Sequence, residues 1–336
     1  MISRNGFRFR TAALVAAFAL VCAGGAFAGG QDRVVKSFSV APQGRLTLAT
    51  DIGAVRLAGS DGQTVRVEII REVRGAGEKR AQEIFDRMDM SFDQRGNDVE
   101  VRVKYDRDVL RNLFTNPFRR LRVEFVVSVP RVYNVDLKTS GGSVSVTGLE
   151  GHVKARTSGG SLTFEEIKGD VYGRTSGGSI RVGQADGPVD VHTSGGSIRI
   201  GRSAGRITAR TSGGSITIVE AGDEVDAHTS GGSIVIEEVR GAVKAGTSGG
   251  SVRAYISKQP SGECSLTTSG GSVTAVLAEG LRVDVDARSS GGRVNTDFPV
   301  TIQGEIQRRS LQAKINGGGP LLRLRSSGGG VHIQKR

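Results

Sequence analysis

Five side chains occupy the same place in successive units of a repeating sequence: Arg156, Arg174, His192, Arg210 and His228. If each 18-residue period is one coil of a stack, they form an outward row at a strand spacing of about 4.8 Å. Such a row suits a linear polyanion. Its two imidazoles, neutral at pH 7 and charged below about pH 6.5, would strengthen the contact on acidification. The same residues also read as a solvated face, partnered by Asp190 and Asp226, as surface charge runs usually are. Those two acids share another outward position two periods apart, about 9.6 Å by the same spacing. That separation is the outer limit for the acid/base pair of an inverting glycosidase. Nothing in the flanking sequence supplies a cleft, or an environment that would hold a proton on one of them, so they read as surface acids. No phosphate-binding G-x-x-x-x-G-K-[ST] loop or H-E-x-x-H pair occurs, the G-x-S-x-G string Gly246–Gly250 is a copy of a repeated turn unit rather than a nucleophile elbow, and no C-x-x-C pair could hold zinc. The Gly-Gly pairs lack the regular Asp of calcium-binding nonapeptide repeats. The expectation is therefore a protein that is not an enzyme, with no cofactor and no metal.

What must position that row is a repeat. Thr-Ser-Gly-Gly-Ser begins at Thr139, Thr157, Thr175, Thr193, Thr211, Thr229 and Thr247, and it recurs at Thr268. Variants stand at Ser289-Ser-Gly-Gly-Arg293 and Ser326-Ser-Gly-Gly-Gly330. On both sides of each copy, apolar and polar residues alternate with period two, the signature of a half-buried strand. Val153, Val171, Val189, Ile207, Val225 and Val243 make one apolar column. Leu162, Ile180, Ile198, Ile216, Ile234 and Val252 make a second, and Phe164, Val182, Ile200, Ile218, Ile236 and Ala254 a third. Thr163, Arg181, Arg199 and Thr217 fall on an outward column. One 18-residue unit cannot bury its apolar face alone, whereas parallel stacking buries that face and pairs each backbone with the next coil. Ten coils would make a rod on the order of 50 Å long. The paired glycines read as a tight corner needing φ > 0, where stacked turns also leave no room for side chains. The flanking hydroxyls would bond backbone groups there. A left-handed hexapeptide helix has the same 18-residue turn, but Ile180 plus six is Asp186, so that pattern fails. The fold class is thus all-β: a single-chain parallel β-solenoid with two short strands per 18-residue coil.

The chain divides into three parts. Residues 1–28 read as an export signal, with Arg4, Arg8 and Arg10, then an apolar run to Cys22, then Ala26-Phe27-Ala28 as cleavage site. Residues 29–138 read as a β-rich N-terminal segment. In it, Gly44 to Leu57 forms a degenerate coil, Val65 to Val73, Val99 to Tyr105 and Leu121 to Val129 are strands, and Glu78 to Met88 is a short helix. That helix would cap the stack. Residues 139–336 carry the repeat, closed by Leu311 to Ile315, Leu321 to Arg325 and Val331 to Ile333. The insert Arg107 to Arg120 carries Phe114, Phe118, Arg119 and Arg120, which could touch an anionic membrane surface or pack on their own domain. The formal charge of +12 falls to about +9 without the leader's arginines. This favours an anionic polysaccharide or another envelope component as partner, while the absence of Trp and the few aromatics argue against single-stranded nucleic acid. Cys264 takes an inward position and reads as a buried thiol.

These features resemble a bacterial putative-adhesin family of unknown function, with exported, toast-rack-like β-strand repeats. The resemblance rests on the export signal, the Gly44 to Leu57 opening, Val127-Ser-Val-Pro130, the T-S-G-G-S-V coils and Asn316-Gly-Gly-Gly-Pro320 with its closing strand. It covers most of residues 30 to 336. It implies an envelope-associated β-solenoid acting as a binding or adhesin-like module, in the periplasm or at the cell surface, with a periplasmic structural or regulatory scaffold as the alternative. It supplies no catalytic residues.

Overall fold

The computed structural model describes residues 30–75, 77–106, 120–302 and 307–336. Each repeat folds as expected, as two short strands joined at the T-S-G-G-S corner. Strands before the corner stack into one sheet, here the leading sheet. Strands after it stack into the other, the trailing sheet. Regular neighbours run parallel and in register, one repeat period apart: Val171 lies beside Val153 and Val189, and Ile180 beside Leu162 and Ile198. The three predicted apolar columns line the space between the sheets, with no member more than 2% exposed.

A fourth inward column was not legible from period two. In the trailing strands the pairing runs Phe164↔Val182 and then Ile167↔Ala185. The inward position therefore moves three residues, not two. Both partner strands take the same three-residue step and stay in register, and Gly148 at φ 69 and Glu166 at φ 55 mark it in the first two coils. Leu149, Ile167, Ala185, Ser203, Ala221 and Val239 are buried by this device.

The corner has a different cause from the one its glycines suggest. No paired glycine of the repeat lies in the left-handed region. The second glycine of each pair instead sits against the coil before it, and a Cβ on Gly160, Gly178 or Gly196 would overlap the preceding glycine's carbonyl. The hydroxyls complete the corner. Thr175 Oγ1 donates to Gly160 O at 2.7 Å and accepts from Gly178 N at 3.4 Å. Thr193 and Thr211 repeat both bonds. The last Ser of each copy accepts from its counterpart one coil on, as Ser197 N donates to Ser179 Oγ at 3.2 Å. The repeated Thr is buried throughout, and Thr193 completely.

Both ends depart from sequence order. The degenerate coil, Arg45–Thr50 with Ala54–Ser60, stacks in register on the first regular one, Asn134–Lys138 with Val144–Glu150. Beyond it, however, lies a coil formed later in the chain, Asp98–Tyr105 with Arg120–Pro130. At the other end Leu321–Ser326 and Val331–Lys335 do not close the stack. They are inserted between Cys264–Thr268 with Val273–Leu277 and Val283–Ser289 with Val294–Thr296. Antiparallel strands finish each end: Thr64–Arg74 then Gln31–Ser39, Met88–Arg95, and Ser310–Ile315. The helix spans Glu78–Phe85 and buries Ala81 and Phe85. It stops short of the predicted Met88. That residue opens a strand whose alternating Met88, Met90 and Phe92 pair with Tyr105, Val103 and Val101.

Candidate functional site

The leading strands are short in the regular coils, with Val and Ala positions inward and two positions outward. This alternation brings the predicted row together. Arg156, Arg174, His192, Arg210 and His228 are direct register partners on successive strands. Lys138, which the sequence reading left out, extends the row at its N-terminal end. It stands before the first Thr-Ser-Gly-Gly-Ser, at the same offset as Arg156 does before the second, so the repeat itself contained the signal.

The second outward column runs Asp136, Lys154, Tyr172, Asp190, Thr208 and Asp226, and it decides how much of the row's charge is free. Arg174 bonds Asp190 at 2.7 Å, one coil on, and Arg210 bonds Asp226 at 2.8 Å in the same diagonal. Asp226 also meets His228 Nε2 at 2.8 Å. Arg174 and Arg210 are therefore held by carboxylates, while His228 lies beside one without hydrogen-bonding it. The Asp190/Asp226 pair is likewise occupied by these cations, with Thr208 between them. Arg156 has no carboxylate partner among the described residues and lies 5.4 Å from the Tyr172 ring centre, while Arg174 lies 4.2 Å from the same ring. Lys138 and His192 carry no ion pair among the described residues. The uncommitted part of the row is thus Lys138 and Arg156, with Tyr172 beside them, and then His192.

Other predicted elements fall elsewhere. Phe114, Phe118 and Arg119 lie outside the described residues, and Arg120 opens the strand Arg120–Pro130. Cys264 is buried in the inward column, and burial pushes its thiol pKa up, away from the reactive thiolate. Among the described residues no group of His, Cys, Asp and Glu is placed to hold a metal ion, and no helix is long and apolar enough to cross a membrane.

Comparison with known proteins gives a family and a set of distant structures. The Toastrack DUF4097 family model matches residues 45–334. A solved "putative lipid binding protein" from Parabacteroides distasonis is 10% identical, with TM-score 0.40, over 90% of this chain and 96% of its own. A "putative adhesin" from Parabacteroides merdae is 12% identical, with TM-score 0.34, over 90% of this chain and 95% of its own. A "putative adhesin" from Bacteroides fragilis is 13% identical, with TM-score 0.28, over 90% and 97%. Among curated proteins none matches. The family model runs from the degenerate coil to the inserted last one, the whole of the stack, and the chain belongs to the Toastrack DUF4097 family.

Proposed function

We propose that this protein is a non-enzymatic binding module of the bacterial envelope, which presents rows of side chains at strand spacing to an elongated anionic polymer. The observation that carries this reading is the in-register outward row from Lys138 to His228 on the leading sheet. A stacked coil repeats a contact at fixed intervals, so several weak contacts act together on a linear partner. Export through the leader and a position in the periplasm or at the cell surface belong to the same reading.

Lys138 and Arg156 are the contacts we assign to the polymer, because Arg174 and Arg210 are already neutralised. Retention of the purified protein on immobilised polygalacturonate tests this. The wild type is expected to be held at low salt and released as salt screens the contact. The Lys138→Ala/Arg156→Ala variant should elute at clearly lower salt. Failure of the wild type to be retained, or identical elution of the variant, would remove the reading.

A further inference from the structure

The trailing sheet carries a pair of arginines that the row on the other face does not explain. Arg181 and Arg199 are direct register partners on adjacent parallel strands, both exposed. Like charges placed opposite each other on neighbouring strands are destabilising, and Lys138 and Arg156 on the leading sheet are the other cations left so without a carboxylate among the described residues of the regular coils. In the regular coils from Thr139 to Ile256, every other arginine reaches a carboxylate, a side-chain amide or an aromatic ring. Arg181 and Arg199 alone among the described arginines of these coils reach none, with no carboxylate oxygen within 4.0 Å.

The same local sequence surrounds both. Ser179-Ile-Arg181-Val-Gly183 is followed one repeat later by Ser197-Ile-Arg199-Ile-Gly201. Gly201 leaves bare backbone beside Arg199, whereas the space over Gly183 beside Arg181 holds the Glu165 carboxylate. Ser179 and Ser197 stand exposed on the other side. Each of these two Oγ atoms accepts an amide from the next coil at 3.2 Å, which leaves its hydroxyl proton without an acceptor among the described residues. Four donors of matching kind thus stand on two coils about 4.8 Å apart. Thr163 and Thr217 flank the pair along the same column. The one nearby acid is Glu165, whose carboxylate lies across Gly183, where a Cβ would meet it.

We infer that Arg181 and Arg199, with the hydroxyls of Ser179 and Ser197, form a second binding site that takes successive carboxylate groups of an acidic polysaccharide. Guanidinium groups bind carboxylates through paired, charge-assisted hydrogen bonds, and the serine hydroxyls and bare backbone suit a polyol chain lying flat. A lipid surface fits less well, because among the described residues the exposed large apolar ones, Val126 and Val132, are not beside this pair, and Val126 stands four strands away. The inference shares with the proposed function only the acidic character of the partner, since the two sites lie on opposite sheets.

The test uses trigalacturonate as probe, titrated calorimetrically into the Lys138→Ala/Arg156→Ala protein so that the leading-sheet row contributes nothing. Binding should persist there. Adding Arg181→Ala/Arg199→Ala should weaken it about tenfold without lowering the melting temperature, since neither guanidinium makes a hydrogen bond or ion pair among the described residues. Glu165→Gln should strengthen it by removing the competing charge. If Lys138→Ala/Arg156→Ala already abolishes binding, the leading-sheet row stands and this site falls. Unchanged affinity after the Arg181/Arg199 substitution would overturn it, and so would binding to phosphatidylglycerol vesicles in preference to the oligosaccharide.

Discussion

Each residue of the Thr-Ser-Gly-Gly-Ser unit has its own physical task, and the two glycines differ. The second is excluded from carrying a Cβ in every coil by the carbonyl of the coil before. The first is graded. A Cβ on Gly159 would lie 3.8 Å from its nearest neighbour, on Gly177 3.6 Å, on Gly195 3.3 Å, on Gly213 3.0 Å, on Gly231 2.9 Å and on Gly249 2.7 Å. The corners therefore tighten steadily along the rod. Gly159→Ala should be neutral or slightly stabilising, because the unfolded chain loses freedom and the folded one has room. Gly249→Ala should cost about 1–3 kcal/mol through overpacking, with Gly213→Ala between them. Denaturant midpoints of the three variants check the order, and equal values would show that the corners relax freely. The sequence announced a corner at these positions but not its cause. Positive φ and close backbone approach both demand glycine, and only the neighbouring coil's coordinates separate them.

At the scale of the strand, the inward columns compensate across the core. Gly173 occupies a position that holds Ala155 in the coil before and Val191 in the coil after. Its space is taken by Phe164 from the facing sheet: a Cβ on Gly173 would lie 3.1 Å from the Phe164 ring. Gly173→Val should therefore destabilise by about 1–3 kcal/mol, and Phe164→Val alone should cost a similar amount by leaving a cavity. The double variant should recover much of both, giving a coupling of about 1 kcal/mol or more in a double-mutant cycle. Simple additivity would show that the two side chains do not share one volume. The three columns containing Val171, Ile180 and Phe164 were legible because alternation with period two needs no knowledge of the partner strand. The column containing Ile167 was not, because a three-residue step breaks the period of two within the strand. The cationic row was legible as a column, since register follows directly from the 18-residue repeat. Its charge state was not. Whether Arg174 turns to solvent or to Asp190 one coil on depends on side-chain direction, which spacing alone leaves open. The Arg181/Arg199 pair stood in the sequence as an outward column, but its lack of partners is a property of the packed face.

For the whole molecule, the ends determine whether the stack is finite. A strictly sequential solenoid would end in two open strand edges, which invite pairing with another chain. Here each end folds back. Antiparallel strands cover both sheets of the closing coil at one end and the leading-sheet strand Val283–Ser289 at the other, where Val294–Thr296 ends the trailing sheet, and the coil nearest the chain terminus, Arg45–Ser60 at one end and Leu321–Lys335 at the other, lies one layer in. Sequence pattern could not reveal this, because the inserted segments carry the same alternation as terminal ones and parallel neighbours are chosen among equals. The arrangement predicts an asymmetry between two deletions. Removing Gln31–Ser39 takes away a strand paired on one side only, with Thr64–Arg74, and the stack beneath should keep its amide protection. Removing residues 321–336 takes away an interior layer, the parallel partner of Val283–Thr296, whereas Cys264–Leu277 keeps Val243–Ile256 on its other side. Hydrogen exchange on that variant should show Val283–Ser289 losing protection together with Ser310–Ile315, while the coils from Val153 to Thr247 remain protected. The quasi-independent coils of a solenoid permit such local loss. Retained protection of Val283–Ser289 would mean that the outer coil docks directly onto Cys264–Thr268, and that the C-terminal segment is an addition to the rod rather than its interior.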